Sequence, residues 1–249
     1  MSTRLSRFAA FLLIGGMVIA APTSVRAQSN ATPAAYSPTI DPANFTQVID
    51  NPWMPLAPGA HWIYQGTSED GPETDEVTVT SDTKVIMGVT CVAVHDVVST
   101  DGDVTEDTID YYAQDLDGNV WYFGEESHEV ENGKVVGTVG SWEGGVDGAF
   151  PGIQMLASPQ ESVAYRQEYY AGEAEDMARV IETDATVSAP FGDFDHALVT
   201  EEWSPLEPDV IEHKSYARGV GLVTDEEAQG GSESIRLTDY SPGVATPTS

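Results

Sequence analysis

The 249-residue sequence predicts an all-β fold: an antiparallel meander of two similar halves forming a barrel or half-barrel, with a two-sheet sandwich as the alternative. Three observations predict it. Asp82-Thr83-Lys84-Val85 is echoed by Asp184-Ala185-Thr186-Val187, and Tyr112-Ala113-Gln114 with Gly118-Asn119-Val120 by Tyr216-Ala217-Arg218 with Gly221-Leu222-Val223, at offsets of 102 to 104. Runs of period-two hydrophobicity alternate with turn signals at the 8–12-residue spacing of a sandwich or barrel. Beyond the N-terminus, no apolar 3.6 period persists over a helix-length window.

The N-terminus reads as a signal peptide over residues 1–27. Arg4 and Arg7 form a basic start, and Phe8 to Ala21 is an apolar run of 14 residues, too short to span a bilayer comfortably. Val25-Arg26-Ala27 supplies small residues for cleavage near Ala27. The expected destination is periplasmic or extracellular, with no membrane span. Residues 28–44, rich in Ala, Thr, Ser and Pro, read as a disordered leader, and 241–249 as a matching tail.

The domain is expected over 45–240, with repeats at about 60–124 and 163–240 and an irregular insert at 125–160. Asn51 to Gly59 is punctuated by Pro52, Pro55 and Pro58 and excludes a helix. His61 to Gln65 begins the first strand, Glu76 to Thr80 alternates strictly, and Thr90 to Val98 continues the rhythm past Gly88. Asp101-Gly102 is a hairpin turn, followed by strands at Glu106–Ala113 and Val120–Phe123. In the second half, strands are expected at Ala178–Val187, Ala197–Trp203, Val210–Ala217, Leu222–Thr224 and Glu233–Tyr240. The insert holds a hairpin turn at Glu131-Asn132-Gly133-Lys134 and a glycine-dense loop from Gly140 to Gly152.

Composition narrows the function. The chain has 10 basic and 41 acidic residues, a formal charge of −31 that becomes −34 once Arg4, Arg7 and Arg26 are cleaved away. Nucleic acid is excluded as a partner, because phosphate binding needs clustered Lys and Arg. The acidity serves solubility by self-repulsion, or its carboxylates converge on cations, calcium foremost. Cys91 is the sole cysteine, so no intramolecular disulfide forms, and its strand-like surroundings make it a buried small hydrophobe.

The run Asn51-Pro52-Trp53-Met54-Pro55-Leu56 with Gly59 and Trp62-Ile63-Tyr64 resembles the opening of a group of secreted bacterial proteins of unknown function. Tyr112-Ala113-Gln114-Asp115, Gly118 to Glu125, Ser141-Trp142-Glu143 and Arg166 to Tyr170 are similar to the same group. The resemblance covers most of residues 45–225 and implies export and a β-rich fold, with no activity attached.

Candidate sites are few. Asp115, Asp117 and Asn119, with Glu126, imitate a calcium loop, but Val120 stands where such a loop requires glycine, and a plain hairpin explains the same residues. Trp142, Glu143, Asp147, Arg166, Glu168, Tyr169 and Asp176 combine aromatic rings with carboxylates, a set suited to a small or cationic ligand; a solvated acidic loop with Arg166 in an ion pair is the alternative. No histidine pair has metal-ligand spacing, and no serine elbow, P-loop or dinucleotide fingerprint is present. The expected function is an exported, non-catalytic protein binding a small or cationic ligand, with no resident cofactor unless calcium. The alternatives are a secreted hydrolase using paired carboxylates and a structural or interaction module of the envelope.

Overall fold

Asp101-Gly102 and Asn132-Gly133 both adopt the pair of positive φ angles (53° and 87°; 52° and 70°) that a tight two-residue hairpin turn requires. These turns set the rhythm of the fold. A computed structural model describes residues 36–161 and 163–244. The expected signal peptide at 1–27, the first part of the leader and the end of the tail lie outside the described residues.

After a 3-10 turn at Pro42–Asn44 and the short β1 (Phe45–Thr46), five strands run as an antiparallel meander: β2 (His61–Ser68), β3 (Gly71–Ile86), β4 (Val89–Thr100), β5 (Asp103–Asp115) and β6 (Val120–Glu131). The strands β7 (Lys134–Gly137) and β8 (Trp142–Glu143) branch off β6, and β9 (Phe150–Met155) extends the main sheet beside it. Two very short strands follow, β10 (Tyr165–Arg166) and β11 (Glu168–Tyr169). A second meander then comprises β12 (Met177–Ala189), β13 (Gly192–Trp203), β14 (Ile211–Ala217), β15 (Gly221–Gln229) and β16 (Ser234–Ser241).

The sheet runs β10-β12-β13-β14-β15-β16-β2-β3-β4-β5-β6-β9-β11. Its two ends are separated in the chain by Gln167 alone. Tyr165 and Arg166 pair with Ala178 and Met177, while Glu168 and Tyr169 pair with Pro151 and Phe150. One short segment thus hydrogen-bonds to both edges and nearly closes the sheet into a barrel, the all-β architecture the sequence predicts. The echoed strings fall on strands of matching rank: Val85 and Val187 in β3 and β12, Tyr112 and Tyr216 in β5 and β14, Val120 and Val223 in β6 and β15.

Apolar residues fill both faces of part of the sheet. Inside, Trp62, Val79, Val92, Val94, Tyr112, Tyr122, Leu198, Leu222 and Leu237 pack against Ile49, Trp53 and Leu56 of the proline-rich entry segment, which plugs one end. Outside, Ile86, Val89, Cys91, Ala93, Tyr111, Ala113 and Phe123 form a second cluster covered by Ile40 and Phe45. The segment expected as leader therefore has a structural role from Tyr36 to Asn44: it straps the outer face, and the Tyr36 hydroxyl donates to the Pro151 carbonyl at 2.9 Å. The expected insert is also smaller than its 125–160 span, because 125–131 prolong β6 and 150–155 form β9. Among the described residues, no helix is long and apolar enough to cross a membrane.

Candidate functional site

Side chains alternate across a strand, so cross-strand pairs stack into rungs inside the barrel. Next to the plug the rungs are apolar or aromatic: Val92 opposite Tyr112, Tyr112 opposite Tyr122, Leu198 opposite Tyr216. The following rungs are acidic. Tyr64 faces Asp75, Val77 faces Asp96, and Asp110 is flanked by Val94 and Glu125. In the second half Lys214 is flanked by Thr200 and Asp225, with Glu202 opposite Glu212.

The two halves treat their buried charges differently. Lys214 places its Nζ 3.2 Å from Glu202, 3.5 Å from Glu212 and 3.5 Å from Asp225. Burial alone would discharge this lysine, but Asp225, Glu202 and Glu212 outweigh it and hold its pKa well above the ordinary value. Glu202 also accepts from the Thr200 hydroxyl at 2.7 Å and the Tyr216 hydroxyl at 3.3 Å. This half is a compensated ion cluster.

The first half has carboxylates and no lysine among them. Asp110 accepts from the Tyr122 hydroxyl at 2.7 Å, yet burial pushes its pKa up to about 7. Asp75 is likewise pushed up to about 7 by burial, and Asp96 rises well above the ordinary range through burial and the adjoining Asp75. Glu125 and Glu168, both 2% exposed, are raised first by burial and then by neighbouring acids, Asp110 for Glu125 and Asp176 for Glu168. Neither oxygen of Glu125 accepts a hydrogen bond, whereas Glu168 lies within reach of the Trp142 indole and Asp176, and Asp75 within reach of Asp96. Ionised carboxylates only accept, so Asp75 beside Asp96, and Glu168 beside Asp176, are brought together with a proton between them.

Asp176 stands at the seam, where the backbone N–H of Gln167 donates to its carbonyl at 2.8 Å. It is pushed up to about 6 by burial, with the Ser204 hydroxyl and Lys214 opposing. A depression of about 250 Å³, counting its open side, lies here between Gln167, Asp176, Glu202, Trp203, Glu212 and Lys214. Its enclosed part has room for about one water, far less than a drug-sized ligand needs.

The structure divides the sequence-predicted site. Trp142, Glu168 and Asp176 are brought together on the inner side, with Trp142 edge-on to Tyr122 at 5.3 Å. Glu143, Arg166 and Tyr169 face outward. Lys84 binds Glu143 at 2.8 Å and Glu126 at 2.6 Å, and the Arg166 guanidinium lies 4.7 Å from the Tyr169 ring and 5.6 Å from that of Tyr36. Arg166 donates to the Glu175 carbonyl at 3.2 Å, so its acidic neighbour is Glu175 and not Glu168. Asp147 sits exposed in a turn at φ 50°. The cause is alternation: residues 142 and 143, like 168 and 169, are adjacent on strands and must point to opposite faces.

The Asp115, Asp117, Asn119 loop is a hairpin turn. Asp115 accepts from the Asn119 N–H, the Asn119 amide and the Trp121 indole, each at 2.8 Å, while Asp117 is exposed. Among the described residues, no three His, Cys, Asp or Glu side chains are grouped to hold a metal ion. Cys91 is fully buried and its thiol is pushed up to about 12, as suits a packing residue.

The sequence reading passed over Asp75, Asp96, Asp110, Glu125, Glu202, Glu212, Lys214 and Asp225. A signal for several was present: Asp96 keeps step with Val92, Val94 and Val98, Asp75 with Val77 and Val79, and Lys214 with Tyr216. An acid in phase with an inward apolar row points inward.

No family model matches the chain, and no curated protein matches it either. Among solved structures it is similar to a "putative lipoprotein" from Parabacteroides distasonis ATCC 8503, at 12% identity and a TM-score of 0.40, over 76% of this chain and 98% of the other. At that level neither fold nor function transfers.

Proposed function

We propose that this is an exported, non-catalytic protein whose acid-lined barrel interior takes up a small cation. One observation carries the reading: Glu125 is buried with no donor on either oxygen, amid the acids Asp110 and Glu168, an arrangement that favours acquiring positive charge. The lysine-compensated cluster of the other half supports it, since the same interior there carries the cation it needs. The basic, apolar and small-residue sequence of the N-terminus supports export. Isothermal titration of calcium, magnesium, potassium and ammonium into the protein at pH 8, in choline chloride buffer, tests the binding. Saturable heat from at least one of these ions is expected, and null heats from all four overturn the reading.

A hydrolase is the second reading, favoured by the convergence of Glu168 and Asp176 at the seam. It requires turnover of a chromogenic ester or glycoside that Asp176→Asn abolishes. Equal background rates in both proteins would remove it.

A further inference from the structure

Asp110 and Lys214 occupy corresponding places. Each lies two residues before the tyrosine of the echoed Tyr-Ala motif, Tyr112 or Tyr216. Each is on the third strand of its set, β5 counted from β3 and β14 counted from β12. Each is paired with an acid on the next strand, Asp110 with Glu125 and Lys214 with Asp225. On the preceding strand, Val94 faces Asp110 as Thr200 faces Lys214, and the residue two further along is an acid in both halves, Asp96 and Glu202. One half therefore carries an ammonium amid acids where the other carries one more carboxylate.

The first-half acids are not merely close. Glu125 lies opposite Asp110 in the register, Asp110 and Glu168 both raise it, and both of its oxygens are buried without a donor, while Glu168 meets the Trp142 indole and Asp176. We propose that an ammonium-type cation, the ammonium ion or the head of a primary amine, binds among Asp110, Glu125 and Glu168, at the counterpart of the Lys214 ammonium. The chemistry selects this class. An ammonium satisfies such carboxylate oxygens through N–H donors at ordinary hydrogen-bond length. The Lys214 contacts of 3.2–3.5 Å show the spacing these rungs allow, whereas calcium requires oxygens at about 2.3–2.6 Å. This inference rests on the cation-binding reading above and narrows it to one class and one place.

Thermal unfolding at pH 8 and constant ionic strength tests it, with choline chloride replaced by ammonium chloride or by potassium chloride. Potassium is similar in size to ammonium but has no N–H. Ammonium is expected to raise the melting temperature by roughly 5–10 °C at a hundredfold excess over its Kd, and potassium by much less. In Asp110→Lys the cation is built in, so the melting temperature in choline should rise and the ammonium effect should vanish. Asp110→Asn, which keeps the Tyr122 acceptor, should weaken the ammonium effect at least about tenfold in concentration and serves if the lysine variant does not fold. Equal shifts from ammonium and potassium, or an undiminished ammonium effect in either variant, overturn the inference. If the wild type binds calcium or potassium but not ammonium, the cation reading stands and this inference falls. If it binds none of them, both fall.

Discussion

Asp110→Asn should make the protein more stable at alkaline pH while leaving it nearly unchanged in acid. Asp110 is a carboxyl of ordinary pKa 3.8 held at about 7, with burial opposed by the hydroxyl of Tyr122. Between those two values the folded chain holds a proton that the unfolded chain has released. The stability this confers is complete below the unfolded pKa and is lost as pH rises through the folded one. The displacement corresponds to about 4 kcal/mol at pH 8. The acids that feel Asp110 share the burden: Asp75 from β3, Asp96 from β4, Glu125 from β6 and Glu168 from β11. Such a set titrates together, and removing one member lets a neighbour ionise more easily, so a gain of about 2–4 kcal/mol is expected. At pH 4 wild type and variant should agree within about 1 kcal/mol, because the asparagine oxygen still accepts from Tyr122. Urea unfolding of both proteins from pH 4 to pH 8 in choline chloride measures the difference directly. The general acidity of the surface cancels in that comparison. Parallel stability curves would refute the reasoning, because they would mean that Asp110 titrates alike in the folded and unfolded chains.

Lys214→Met keeps the bulk but leaves Glu202, Glu212 and Asp225 around a site without charge; a loss of about 3–5 kcal/mol in urea is expected at pH 8, shrinking as pH falls. Gly152→Ala would push a Cβ into the backbone of Arg166 and Gln167 at the seam, so a loss of about 1–3 kcal/mol is expected, and a wild-type midpoint would show that the seam is loose. Cys91 should resist a thiol reagent in native buffer and react only at the rate of unfolding; prompt labelling would contradict its burial beneath the strap.

The fold was legible because its signals are local. Turn pairs such as Asp101-Gly102 and alternation such as Val92 to Val98 depend only on neighbouring residues, and the strands formed where those patterns lie. Two features were hidden by their locality. In β6 the phase slips at Gly124 (φ 136°), so Tyr122 and Glu125 both point inward and the alternation that would have extended the strand to Glu131 is broken. The strap at 36–46 has no period; its anchors, Tyr36, Ile40 and Phe45, are single apolar residues in a polar run. The site was less legible than the fold. Carboxylates clustered along the chain, as at Glu143, Asp147 and Glu168, were grouped as if proximity in sequence meant proximity in space. The interior set comes from the successive strands β3 to β6 and from β11, with its members separated by a strand length or more in sequence, and only the register brings them together.

The asymmetry between the halves is what separates a binding reading from a purely structural one. A compensated buried cluster such as that around Lys214 contributes little net stability, and well-packed apolar side chains of equal volume often serve as well or better. An uncompensated cluster is worse, since each orphaned oxygen carries a desolvation penalty of about 1–3 kcal/mol or more. Val79, Val92 and Leu237 show that these strands accept apolar residues readily at the plugged end. Packing therefore does not explain why Asp75, Asp96, Asp110, Glu125 and Glu168 occupy the first half with no lysine among them. Protons held on the raised carboxyls satisfy the cluster in acid, and the proposed cation would do so once they are lost; the seam at Gln167, where the sheet is held by two strands of two residues each, is where the barrel wall has the fewest paired residues.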